Sequence, residues 1–76
     1  MELKNKVRVD IASPPDRERL VAQIMIGNEQ WAEINQEQEE LQIEIYPRQD
    51  GQPWIVDYKD IVEALAEARG RLLGER

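Results

Sequence analysis

Apolar and polar residues alternate with period two at the start of the chain. Leu3, Val7, Val9 and Ile11 hold odd positions, and Glu2, Lys4, Lys6, Arg8 and Asp10 hold even ones. This predicts a strand with one buried and one wet face. Its row of Lys4, Lys6 and Arg8 suits edge protection better than a binding site. Ser13-Pro14-Pro15-Asp16 ends the strand, because two prolines fix φ and remove two amide donors. The stretch 15–26 has two readings. Ser13, Pro14 and Asp16 suit a helix start, with Leu20, Val21 and Ile24 on a helical face. Leu20, Ala22, Ile24 and Ile26 also alternate, so a strand over 20–26 is favoured, with a short helical turn at 15–19 left open.

Gly27-Asn28 predicts a tight turn. A strand from Trp31 to Gln36 follows, with Ala32 and Ile34 on one face and Trp31 on the other. Leu41, Ile43 and Ile45 against Gln42, Glu44 and Tyr46 form the clearest strand pattern of the chain. Asp50-Gly51 centres a loop over 47–53, and Trp54 to Val56 is apolar enough for a short extended piece. From Asp57 the period changes. Ile61, Leu65, Ala68 and Leu72, widened by Val62, Ala64 and Leu73, make a helical stripe that predicts a helix over 58–73. Asp57 suits the N-cap, its carboxylate accepting from the amide of Asp60, and Gly74 suits the left-handed residue after the end. The expected fold is α+β in a single domain over 1–76. It has a small antiparallel sheet of about four strands and one C-terminal helix packed on one face.

Charge refines this picture. The net charge of −6 is unevenly placed: residues 1–19 carry +1 and the remainder −7. Glu29 to Glu44 holds six glutamates and no basic residue. Nucleic acid and anionic membranes are unsuited to such a surface, since both require a positive footprint. No segment approaches the roughly 18 apolar residues of a membrane span, and residues 1–12 do not read as a secretory leader. The cytoplasm is the expected compartment.

The catalytic inventory is thin. The chain has no cysteine and no histidine, which removes the commonest general base, the best neutral-pH nucleophile and the usual zinc and iron ligands. Ser13 is the single serine, and the glycines at 27, 51, 70 and 74 are too scattered for a phosphate loop. A carboxylate site from Glu33, Glu44 and Asp57 is conceivable if their strands adjoin, but acids on a wet sheet face are ordinarily solvated. No enzyme activity, cofactor or metal is expected.

The aromatic residues are Trp31, Tyr46, Trp54 and Tyr58, with no phenylalanine. Trp31 and Tyr46 are expected to point away from the face of Ile34, Ile43 and Ile45, forming a patch with Trp54 on the side the helix leaves open. Exposed Trp and Tyr of that kind make binding hot spots. The competing reading is that both tryptophans complete the core, Trp54 above all.

Pro14-Pro15-Asp16-Arg17-Glu18, Leu20-Val21-Ala22, Trp31-Ala32-Glu33-Ile34, Ile43-Glu44-Ile45-Tyr46-Pro47 and Pro53-Trp54 together resemble a family of short uncharacterised bacterial proteins. There these motifs precede a C-terminal helix of Ala, Leu, Glu and Arg. The resemblance covers most of the chain and implies no assigned activity. In architecture alone, the layout is similar to antitoxin-type partner proteins. The functional expectation is a non-catalytic module that binds a protein partner or itself as a homodimer, with Trp31, Tyr46, Trp54, Glu37, Glu39 and Glu40 as candidate interface residues. The alternative is an antitoxin-like regulator that holds a basic protein through its acidic segment.

Overall fold

The computed structural model describes residues 6–74. Four strands, β1 (Val7–Ala12), β2 (Val21–Ile26), β3 (Glu29–Asn35) and β4 (Gln42–Ile45), precede one helix, α1 (Tyr58–Leu73). The strands form one antiparallel sheet in the order β1-β2-β3-β4, so every neighbour in sequence is a neighbour in space. Short connections favour this arrangement, because closing a hairpin costs little chain entropy. The fold is α+β, as the change of hydrophobic period at residue 57 predicts. Stretch 15–26 resolves as strand at β2, and no helical turn forms at 15–19. Residues 54–56 are not a fifth strand. The predicted strand positions Leu3 and Lys4 lie outside the described residues.

Gly27 and Asn28 connect β2 and β3, with Ile26 directly opposite Glu29. Gly27 has φ 63° while Asn28 stays at negative φ. That matches the II′ pattern, in which glycine takes the first central position and the twist of the turn suits the strands. The register then shifts between Ile24 and Met25, which face Ala32 and Gln30. Trp31 is the extra residue of this bulge.

The register divides the side chains between two faces. Val9, Ala22, Ile24 and Ile34 lie on one face and make the core with Ala64 and Ala68 of the helix. Alanines on that stripe let the helix approach the sheet closely. At the helix start, Asp57 takes the N-cap position and its carbonyl accepts from the Ile61 amide at 3.2 Å. Its side chain does not make the predicted capping hydrogen bond. Gly74 ends the helix at φ 71°, its N–H donating to the Gly70 carbonyl.

The helix lies over β1 and β2, Ala32 and Ile34 of β3 are buried on the same face, and its β4 side is left open. The second face is not open throughout. Residues 13–20 cross it, held where the Glu37 carboxylate accepts from the amides of Glu18 (3.0 Å) and Arg19 (3.2 Å). Where this loop enters β2, Val21 is fully buried on the second face, whereas Gln23 and Met25 further along are half-buried.

Candidate functional site

The two edges of the sheet differ. In an antiparallel pair, alternate residues turn their N–H and C=O groups toward the partner strand, and those between turn them away. Gly27 N–H donates to the Lys6 carbonyl, so Lys6, Arg8 and Asp10 face β2, and the backbone groups of Val7, Val9 and Ile11 face outward. That outer edge is obstructed, because Arg71 reaches across from the helix and its Nη1 donates to the Val9 carbonyl at 2.7 Å. Exposed Lys6 and Arg8 guard it further, as charge on an edge strand discourages pairing. Asp60, Glu63 and Glu67 of the helix line an open cleft of about 440 Å³ beside it.

β4 is the other edge. Tyr46 N–H donates to the Trp31 carbonyl at 2.9 Å, so by the same alternation Gln42 and Glu44 face β3 while the backbone groups of Ile43 and Ile45 face outward. All four residues of β4 are exposed, and none is basic or proline. Ile43 and Ile45 pair with Ile34 and Ala32, which puts their side chains on the helix face. There they stay 43% and 60% exposed. Asp60, Glu63 and Glu67 occupy the β1 flank of the helix. At about 100° per residue, Ile61, Leu65 and, further round, Tyr58 and Val62 then occupy the flank toward β3 and β4. Tyr58 is 84% exposed and Ile55, just before the helix, 87%. An unguarded strand edge therefore borders an apolar half-face.

The opposite face carries a charge cluster around one buried carboxylate, that of Glu33. Glu33 and Glu44 are directly paired across β3 and β4. Arg17, on the crossing loop, lies between them. Its Nη2 is 2.7 Å from Glu33 Oε2 and its Nε 2.9 Å from the same oxygen, and a further hydrogen bond joins Arg17 to Glu44. Glu33 is only 6% exposed, so it is not an ordinary solvated acid. Two adjacent carboxylates would repel, and the guanidinium removes that repulsion. The hydrogen bond that Arg17 donates to Glu44 first, and then its contacts with Glu33, raise its pKa against the opposing effect of desolvation. Asp57 lies at the helix start, away from this pair. Among the described residues, no group of three or more acids is placed to hold a metal ion.

Tyr46 sits beside this pair. Burial first, then the negative charges of Glu33 and Glu44, raise its pKa above 10.0, and Arg17 partly offsets them. Trp31 turns out on the other side. The bulge breaks the alternation there, and the indole packs against the core cluster instead of facing away from Ile34. Trp54 Nε1 donates to the Tyr46 carbonyl at 2.9 Å, and the Arg48 guanidinium lies 5.9 Å from its ring centroid. Trp31 thus leaves the face expected for it, while Trp54 is tied to the Tyr46 backbone. Of the acidic candidates, Glu37 pins the crossing loop, whereas Glu39 and Glu40 are exposed. Ile43, Ile45, Ile55 and Val62 were absent from the sequence-based site. Their exposure depends on where the helix lies, which the local pattern does not encode.

No protein-family model, curated protein or solved structure matches the chain. Among the described residues, no helix is long and apolar enough to cross a membrane.

Proposed function

We propose that this protein is a non-catalytic binding module that docks a protein partner on the β4 edge and the apolar half-face beside it. One observation carries the reading: the β1 edge is closed by Arg71 and guarded by basic side chains, while the β4 edge is unguarded and bordered by exposed Ile43 and Ile45. Strand addition to such an edge supplies backbone hydrogen bonds, and alternate side chains supply specificity. The acidic-segment alternative has less support. Glu29, Glu33, Glu37 and Glu44 are all engaged within the fold, which leaves Glu39 and Glu40 to act.

A photo-reactive residue at position 45, with one at position 8 as control, tests the proposal in cells. Protein adducts are expected from position 45 and not from position 8, and their loss is expected on Ile43→Lys. Equal labelling at both positions, or none at 45, overturns it.

A further inference from the structure

We infer that the occupant of the β4 edge is β4 of a second copy, paired antiparallel about a two-fold axis at Ile43. This rests on the docking surface proposed above and goes further by fixing partner and register. Directly opposite residues in a sheet share a face, so a two-fold perpendicular to the sheet requires partners of the same parity. The two registers that overlap most of β4 are those about Ile43 and about Glu44. Pairing about Glu44 places the two Glu44 carboxylates face to face, which is destabilising, and uses the outward groups of Ile43 and Ile45 alone.

Pairing about Ile43 avoids that clash. The segment Leu41-Gln42-Ile43-Glu44-Ile45 then complements itself: Ile43 meets Ile43, Ile45 meets Leu41, and the Gln42 amide meets the Glu44 carboxylate it can donate to. The outward N–H and C=O groups of Ile43, fixed by the hydrogen bond from Tyr46 to Trp31, exchange two hydrogen bonds at the axis. Those of Ile45 meet the groups of Leu41. An isologous interface of this kind needs only one surface on each chain. It joins two four-stranded sheets into one of eight and merges the two apolar half-faces into a single floor flanked by both helices. The β1 edge cannot pair in this way while Arg71 occupies the Val9 carbonyl. The net charge of −6 on each copy opposes association, so added salt is expected to tighten the dimer.

Sedimentation equilibrium of the full chain is expected to give twice the chain mass at high concentration, and the single-chain mass for Ile43→Lys with unchanged circular dichroism. The variant sets two ammonium groups together at the axis while leaving the core untouched. The register has its own readout, because the chain has no cysteine. In the proposed register Gln42 and Glu44 of opposite copies form a close pair, with Cα atoms about 4.5 Å apart, within disulfide range. Gln42→Cys/Glu44→Cys is expected to oxidise to a covalent dimer and Glu44→Cys alone is not. Covalent dimers of Glu44→Cys alone overturn the register. A wild-type chain that stays monomeric at all concentrations and salt levels overturns the inference. The docking surface itself then stands or falls on the adducts from position 45: a different protein captured there sinks the second copy and keeps the surface, and no adduct sinks both.

Discussion

Arg17 does on one face of the sheet what packing does on the other. Its guanidinium satisfies the carboxylate of Glu33, whose side chain is only 9% exposed, and a buried charge left without its partner is far costlier than the pair is favourable. Arg17→Met is therefore expected to lower the melting temperature, and Glu33→Gln added to it is expected to restore part of the loss, because the amide needs no counter-charge. Tyr46 reports the same site. In a Tyr58→Phe background its ionisation, followed by ultraviolet absorbance, is expected above 10.0, and higher still in Arg17→Met, since Arg17 holds it down. The folded-state pKa lies above the unfolded one, so this stability is present in full below pH 10 and is lost as pH rises through the folded-state value.

The helix is the element whose sequence is most consistent with its structure. Its period, its acidic first turn at Asp60 and its terminal Gly74 agree with one another, and 58–73 was readable from the stripe alone. Gly74 has open space where a Cβ would stand and φ +71°, so Gly74→Ala tests backbone strain without a clash. A loss of about 1–2 kcal/mol is expected in urea unfolding. The strands were legible to within a few residues for the same reason, since alternation survives wherever one face is buried. It failed at Trp31. A bulge inserts a residue and reverses the alternation locally, and a single-sequence pattern of Gln30-Trp31-Ala32 does not distinguish a bulge from a regular strand.

At the scale of the molecule, stability is on the order of 4–11 kcal/mol for a domain of this length, and it is concentrated in a small core. Ile24 is wholly buried on the central strand β2. Ile24→Ala is expected to cost about 2–5 kcal/mol, a large share of the total, whereas Ile55→Ala at an exposed site is expected to change stability by less than about 0.5 kcal/mol. Chemical denaturation of the two variants checks both. Equal losses would mean that Ile55 is buried in an assembly. The sequence by itself determined the element order, the α+β class, the helix limits and the absence of His and Cys, because periodicity and composition are local properties of the chain. Tertiary structure alone decided which edge is closed, which half-face stays apolar and open, and that Glu33 is buried against Arg17. Those depend on where one helix and one crossing loop come to rest on the sheet, and contacts such as Arg71 with Val9, 62 residues apart, leave no trace in the local pattern.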